Sequence, residues 1–276
     1  APAVPAPFEV LTRLLRGGWR AGRLHLLLAP AEAGAATLAA LALERAAAHG
    51  HPALYVGYTL AREQFVSAAL ARRLGLEAWR IEAGALSADE AGRVAAGLEA
   101  YLAQLGRHLE IWEAAPVTTL SEVAAWVVQA RANAPGRTPL VVIDPLHLVC
   151  SGLAAVDAHP DAAHRVVAQA AACKHLARGA GAAVIALMPW QRPSAQGGGG
   201  DIERLVPLLG ASADAVLALQ AQAPTSPGQG TGQGGAGAAT RLLRLSLLDR
   251  PGSADAVRLL YAPASQAMEE AAAAVG

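Results

Sequence analysis

The residues best suited to chemistry lie in a loop between an apolar stretch and an alanine-rich stretch. Residues 23–37 read Arg-Leu-His-Leu-Leu-Leu-Ala-Pro-Ala-Glu-Ala-Gly-Ala-Ala-Thr, which predicts a buried strand, a loop of small residues and then a helix. This order is typical of a phosphate-binding loop, whose pattern is GxxxxGK[ST]. In that frame Ala29 and Gly34 take the glycine positions, and Ala35 and Ala36 stand where lysine and a hydroxyl are required. The sequence therefore predicts the backbone of a phosphate loop without its charged side chain.

Two charged residues elsewhere suit the same chemistry. Asp144 ends the apolar run at 140–144, and nucleotide-hydrolysing motors place there the carboxylate that holds Mg²⁺ through water. The alternative is an acid that merely ends a strand before a proline. Arg250 lies in Leu-Asp-Arg-Pro-Gly at 248–252, the tip of a predicted hairpin. An arginine there could reach the phosphates of a neighbouring subunit, and the alternative is a solvated turn residue.

Composition excludes several classes of protein. The chain has 276 residues, 54% of them hydrophobic, and a formal net charge of zero. It is therefore long enough for a large core, and it has no global positive field to attract nucleic acid. Only Cys150 and Cys173 could supply sulfur ligands, which disfavours a zinc site and suits a reducing compartment. We expect a cytoplasmic protein without a membrane-spanning segment.

Periodicity predicts alternating strands and helices, the order of an α/β domain with a parallel sheet. The domain is expected at 9–264, after a Pro- and Ala-rich linker at 1–8 and before an Ala-rich tail at 265–276. Gly-rich segments near 195–200 and 222–239 are expected to be mobile surface loops. Predicted strands lie at 25–28, 54–57, 109–113, 139–144, 182–187 and 215–219, with a terminal hairpin at 242–248 and 256–261. Predicted helices lie at 35–49, 60–74, 87–105, 119–132 and 162–177.

In this order the segments resemble the C-terminal, RecA-like motor domain of DnaB-type replicative helicases. The resemblance rests on residues 18–34, 55–66, 140–149, 184–192, 204–217 and 248–252. RadA-like and KaiC-like proteins share the fold, but residues 59–65 and 87–132 fit the DnaB type better. The resemblance implies a RecA-like P-loop NTPase fold, with a central, mostly parallel β-sheet flanked by helices and a C-terminal β-hairpin.

Matched residue by residue, the resemblance also shows what the chain lacks. The family's P-loop lysine falls on Ala35 and its Mg²⁺-binding hydroxyl on Ala36, with Thr37 one place late. The catalytic glutamate falls on Thr59 and the phosphate-sensing glutamine on Pro189. The Walker B acid and the arginine finger remain, so the nucleotide-binding positions that the resemblance implies are Gly34, Ala35, Ala36, Thr37, Asp144 and Arg250, with Asp144 holding Mg²⁺ through water.

Two functional hypotheses follow. The first is a degenerate helicase-family subunit with weak or no binding of ATP and Mg²⁺ and no hydrolysis, which serves as a structural element linked to DNA replication or repair. The second is an ATP-dependent 5′–3′ helicase with an altered nucleotide site. The resemblance implies a homo- or hetero-hexamer of helicase-family subunits, and it makes Arg192 and Arg204 the candidates for contact with single-stranded DNA. The alternative for both arginines is a solvated loop position.

Overall fold

A single mixed sheet carries the fold. In a computed structural model that describes residues 2–190, 202–222, 240–248 and 256–271, nine strands hydrogen-bond in the order β3-β2-β4-β5-β1-β6-β7-β8-β9. The strands are β1 Arg23–Ala29, β2 Ala53–Gly57, β3 Leu109–Glu113, β4 Leu140–Asp144, β5 Ala183–Pro189, β6 Ala215–Ala221, β7 Arg241–Leu247, β8 Ala256–Ala262 and β9 Ala267–Glu270.

Nine helices in the described ranges flank this sheet. They are α1 Glu9–Leu14, α2 Ala35–Ala48, α3 Arg62–Leu74, α4 Ala78–Glu82, α5 Ala88–Leu105, α6 Leu120–Asn133, α7 Ala154–Asp157, α8 Ala162–Ala180 and α9 Ile202–Ser212. Two of them begin with capping boxes: Ser87 accepts from the Glu90 amide, and Thr119 accepts from the Glu122 amide. These side chains satisfy amides that the first turn of a helix leaves without acceptors, which fixes where α5 and α6 begin.

The first six strands in this order, β3, β2, β4, β5, β1 and β6, run parallel to one another. Strands β7, β8 and β9 continue the sheet with antiparallel pairing. Strand β1 lies in the middle, with Leu27 opposite Leu187 of β5 and opposite Leu217 of β6. Because parallel strands share a direction, the loops after β1, β2, β4 and β5 all leave at the carboxyl edge of the sheet. The predicted RecA-like architecture and its C-terminal hairpin are confirmed.

Side chains alternate between two cores along the buried strands. Leu27, Tyr55 and Val142 face the core that α1, α2, α3 and α5 cover. Leu26, Val56 and Val141 face the core that α6, α8 and α9 cover. Both faces of the central strands are therefore buried, which explains why β4 reads as an uninterrupted apolar run.

The ends of the domain differ from the prediction. The segment expected as an Ala-rich tail contains β9, in which Met268 pairs with Tyr261 of β8. The segment expected as a linker is attached to the domain: Val4 and Trp19 exchange backbone hydrogen bonds of 2.7 and 2.8 Å, and Val4 is fully buried. Alanine-rich composition hid β9, since its only large apolar side chain is Met268. The expected Gly-rich loops lie outside the described residues, apart from Gln222.

Candidate functional site

The loop between β1 and α2 borders a cleft at the carboxyl edge of the sheet. The cleft has a volume of about 300 Å³, and its walls come from the loop, the end of β5, Asp144, Tyr261 and Gln266. Inside the loop, the Ala33 amide donates to the Pro30 carbonyl at 3.1 Å. The loop that the sequence predicted between β1 and α2 therefore lies next to the acid that the sequence singled out.

Helix α2 points its amino terminus into this cleft. Its N-cap is Gly34, in a left-handed conformation with φ of 77°, and no side chain caps the helix. The amides of the first turn and the positive end of the helix dipole are the groups with which such a loop binds an anion. Ala35 and Ala36 are half-buried at this end of the helix, and they add methyl groups where a phosphate loop adds a charge and a hydroxyl.

The first hydroxyl of α2 is already used inside the protein. Thr37 is buried, and its Oγ1 donates to Oε1 of Gln266 at 2.7 Å. The Tyr261 hydroxyl donates to the same oxygen at 3.1 Å, while Nε2 of Gln266 donates to the Pro263 carbonyl at 2.8 Å. Gln266 is thus fixed by three hydrogen bonds, and it joins the turn between β8 and β9 to the start of α2.

The same hairpin packs against the loop backbone. A Cβ placed on Gly34 would lie 2.9 Å from Cε of Met268 and 3.1 Å from two ring carbons of Tyr261. Both side chains are buried. A Cβ here would force the Met268 end and the Tyr261 ring to shift, so packing as well as backbone conformation favours glycine at position 34.

Asp144 lies at the end of β4 as predicted, but one of its oxygens is engaged. The buried Tyr55 hydroxyl, from the neighbouring strand β2, donates to Oδ2 of Asp144 at 2.6 Å. Burial raises the pKa of Asp144, and the Tyr55 hydrogen bond and nearby His147 oppose this rise. Burial likewise raises the pKa of the Tyr55 hydroxyl, followed by the effect of the Asp144 charge. Oδ2 of Asp144 accepts the Tyr55 hydrogen bond, and Oδ1 is left for another ligand.

The other matched positions provide no acid, base or amide. Thr59 is exposed in the bend after β2. Pro189 ends β5 opposite Ala29 and is exposed at the cleft. Arg192 and Arg250 lie outside the described residues, and Arg204 lies in α9 with its side chain outside them.

A cation from the far end of the chain approaches the loop. Nη1 of Arg241, the first residue of β7, lies 3.5 Å from the Glu32 carbonyl and 3.9 Å from the Glu32 carboxylate. Glu32 has a left-handed backbone, with φ of 62°. Sequence reasoning missed Arg241 because 209 positions separate it from Glu32 and no motif marks it. It offsets the negative charge that Glu32 brings to the loop.

The only lysine of the chain lies at the opposite edge of the sheet. Nζ of Lys174, in α8, donates to the Gly22 carbonyl at 2.9 Å and also contacts Asp214. Both partners directly precede strands, so they mark the amino edge. Lys174 therefore does not replace the lysine that the loop lacks.

Two further observations concern the described ranges, residues 2–190, 202–222, 240–248 and 256–271. They contain no group of three His, Cys, Asp or Glu side chains placed to bind a metal ion together. None of their helices combines the length and the apolarity needed to cross a membrane.

Comparison with known proteins gives one family and several similar structures. The family model for the DnaB-like helicase C-terminal domain matches residues 3–197. A solved structure described as an ATPase domain superposes with a TM-score of 0.77 at 15% identity, covering 98% of this chain and 92% of that one. A DnaB-like replicative helicase, described with its interactions with primase, gives 0.73 at 16% identity and covers 96% of this chain and 63% of that one. At these identities the structural likeness shows the fold alone. No curated protein sequence matches the chain.

Proposed function

This chain belongs to the DnaB-like helicase family, and from that membership we propose that it is a member that does not hydrolyse ATP. In this proposal it acts as a structural subunit that binds partner subunits or DNA in replication or repair. The observation that carries the proposal is the set of side chains at the start of α2. Ala35 and Ala36 present methyl groups, and the Thr37 hydroxyl is bonded to Gln266.

The loss of these groups has a large expected effect on catalysis. Phosphoryl transfer depends almost entirely on positioning and on charge stabilisation, and the loop lysine supplies charge at the β and γ phosphates. Removing a single stabilising donor typically costs a factor of about 10² to 10³ in rate. Thr59 and Pro189 cannot act as the base and the sensor, so these losses combine. The residues present do not fit a catalytic Mg²⁺-ATP site.

Binding of nucleotide is a separate question from hydrolysis. The uncapped amino terminus of α2 still favours an anion, and Arg241 offsets the Glu32 carboxylate. Against this, the Tyr261–Gln266–Met268 side of the hairpin narrows the cleft at Gly34. We therefore propose weak binding of ATP or none.

Arg241 is the one observation that favours the alternative function, an ATP-driven helicase with an altered site. Its guanidinium reaches the loop from β7 and carries a permanent charge. In that alternative it takes over the role of the missing lysine. Ion pairing with Glu32 argues against this role, since that carboxylate competes with phosphate for the same guanidinium.

The decisive experiment titrates a fluorescent ATP analogue with Mg²⁺ and measures ATP turnover on the same preparation. We expect no turnover and at most millimolar binding by the natural chain. The matched variant Ala35→Lys/Ala36→Thr, which restores the loop pattern, is expected to bind at least about tenfold more tightly, the effect of 1.4 kcal/mol. Micromolar binding and steady turnover by the natural chain, both abolished by Arg241→Ala, would establish the alternative instead.

The proposed assembly is a ring of copies of this chain or of this chain with an active relative. Leu248, the last described residue before 249–255, donates its amide to Val216 at the amino edge of the sheet. Arg250 itself lies outside the described residues, and its role toward a neighbouring copy is proposed from the family pattern alone. Mass measurement with and without nucleotide tests the assembly.

Contact with single-stranded DNA through Arg192 and Arg204 remains a proposal from the family pattern. Such contacts respond steeply to salt, because binding releases counterions from the phosphates. Labelled oligonucleotide should bind at low salt and dissociate as salt is raised, with Arg204→Ala reducing the affinity. Arg178→Ala, which removes another arginine near the end of α8, is the charge-matched control. Equal affinity for the Arg204→Ala variant and the natural chain would remove Arg204 from this role.

A further inference from the structure

A second cavity lies at the amino edge of the sheet, on the side opposite the phosphate loop. Its volume is about 250 Å³, and it opens between the end of α1 and the starts of β1 and β6. Arg16, Arg20 and Arg23 lie around it, while Leu14 and Leu247 supply apolar wall. The cavity therefore combines a concentrated positive charge with an apolar surface.

Among the residues that the structure describes, two of the three arginines have no acid paired with them. Arg23 is paired with Asp214 at 2.5 Å, and Lys174 contacts the same carboxylate. Arg16 and Arg20, in contrast, form no ion pair with any residue that the structure describes. Nη2 of Arg20 donates to the Arg16 carbonyl, a neutral acceptor, so no described acid compensates either positive charge at the cavity.

His25 supplies a buried polar ring at the cavity, and burial lowers its pKa more than a backbone hydrogen bond with Val184 raises it. It lines the cavity with 5% of its surface exposed, and its Nδ1 has no hydrogen-bond partner. Burial lowers its pKa to about 4, so the ring is neutral at pH 7. A buried polar atom without a partner costs folding free energy and is uncommon in native proteins. This cavity therefore contains a buried polar atom without a hydrogen-bond partner together with two arginines that no described acid pairs with.

The segment that carries Arg16 and Arg20 is held in place by contacts with Val4 and His25. Trp19 exchanges two backbone hydrogen bonds with Val4, and its ring packs edge-on against His25 with centroids 4.9 Å apart. A Cβ on Gly18 would lie 2.2 Å from the Val4 carbonyl oxygen, so the backbones are in direct contact there. The 16–20 turn is thus ordered before any ligand arrives, which lowers the entropic cost of binding.

We propose that this cavity binds the phosphate group of a small phosphomonoester. A guanidinium matches phosphate oxygens in geometry as well as charge, and two uncompensated arginines balance a dianion, whereas a carboxylate needs one. The apolar wall at Leu14 and Leu247 receives the organic part of the ligand. The volume is slightly below the range of drug-sized pockets, which selects a small ligand. This inference is independent of nucleotide hydrolysis and of the phosphate loop.

Calorimetric titration with phenyl phosphate, together with long-range ¹H–¹⁵N spectra of the His25 imidazole, tests the proposal. We expect saturable binding and a shift of the His25 signals. Arg16→Gln and Arg20→Gln should each weaken binding at least about tenfold, as the loss of a charge-assisted hydrogen bond does. Arg20→Lys keeps the charge without the fork and should lose less. Arg13→Gln is the matched control, since Arg13 is exposed on the same helix end and pairs with Glu9 at 3.5 Å.

Several results would overturn the proposal. One is the absence of heat and of a His25 shift at ~10 mM phenyl phosphate, ten times the Kd of a 4.1 kcal/mol interaction. Another is equal weakening by Arg13→Gln, which would indicate non-specific charge attraction. Binding that neither Arg16→Gln nor Arg20→Gln changes would place the ligand elsewhere, for example at the loop. Preference for an oligonucleotide without a terminal phosphate over phenyl phosphate would indicate a phosphodiester site instead.

Discussion

Replacing Gly34 by alanine tests whether the β8–β9 hairpin packs on the loop between β1 and α2. Gly34 has φ of 77°, a region in which a side chain costs about 1–2 kcal/mol for any residue with a Cβ. The new methyl group would also meet the Tyr261 ring at 3.1 Å and Met268 Cε at 2.9 Å. Met268 can move its flexible end, but the Tyr261 ring is buried and its hydroxyl is bonded to Gln266.

The overpacking at Tyr261 adds to the backbone cost. Extra methyl groups in a well-packed region typically cost about 1–3 kcal/mol, so the free energy of unfolding of Gly34→Ala should fall by about 2–5 kcal/mol in total. Gly75→Ala separates the two contributions. Gly75 has φ of 68° and nothing within 4 Å of the added Cβ, so only the backbone cost of about 1–2 kcal/mol applies.

Urea unfolding of both variants, followed by circular dichroism, gives the difference. We expect Gly34→Ala to be less stable than Gly75→Ala by about 1–3 kcal/mol. Adding Met268→Ala to each background measures how much of this difference arises at Met268, and we expect partial recovery only in the Gly34→Ala background. Equal destabilisation by the two glycine substitutions would refute the packing of the hairpin on the loop, and with it the narrowing of the cleft.

Three further predictions concern buried charges and the loop. Tyr55→Phe removes a hydrogen bond that lowers the pKa of Asp144, which burial raises. Without this bond the pKa of Asp144 in the folded state rises further. The free energy of unfolding should therefore fall by about 1.5–3 kcal/mol at pH 7 and by much less near pH 3, where Asp144 is protonated in both states. Equal losses at the two pH values in urea unfolding would contradict this sign. Burial raises the pKa of Asp214, but the bonds from Lys174 and Arg23 outweigh it and lower the pKa overall. The stabilisation by Asp214 is therefore present above its unfolded pKa and is lost as pH falls through the folded value. Asp214→Asn should cost about 1.5–3 kcal/mol at pH 7 and progressively less as the pH falls below the unfolded pKa. An unchanged acid limb of the stability curve would rule this out. Arg241→Ala should weaken binding of inorganic pyrophosphate to the loop about tenfold. Arg244→Ala serves as the control, since Arg244 is an exposed arginine further along β7. If Arg241→Ala binds pyrophosphate as the natural chain does, Arg241 does not contribute to anion binding at the loop.

The parallel strands and the five longest helices were predictable, because burial on both faces forces apolar runs such as 140–144 and the long helices show a helical period. Asp144 was predictable for the same reason, as the one acid that ends such a run. Its place opposite the loop follows from topology, since both segments leave strands at the carboxyl edge.

The partners of these residues were not predictable. Tyr55 reads as an ordinary apolar residue of β2, yet its hydroxyl engages Asp144 across 89 positions. Gln266 contacts Thr37 across 229 positions from a segment that composition alone assigns to a tail. The first contact depends on the pairing of β2 with β4, and the second depends on how the antiparallel strands β7, β8 and β9 extend the sheet. A sequence without homologous sequences beside it contains no local signal for that arrangement.

Strand β7 links two distant parts of the molecule. Arg241 at its start lies beside the loop between β1 and α2, and Leu248, just past its end, lies at the opposite edge of the sheet. Seven residues of extended chain span about 23 Å, and β6 and β8 hold the strand on both sides. In a head-to-tail ring, one edge of each copy meets the opposite edge of the next. Strand β7 would then connect the two edges rigidly, because it is hydrogen-bonded on both sides. A displacement at one subunit's loop would then move the surface that its neighbour contacts, even if neither subunit hydrolyses nucleotide.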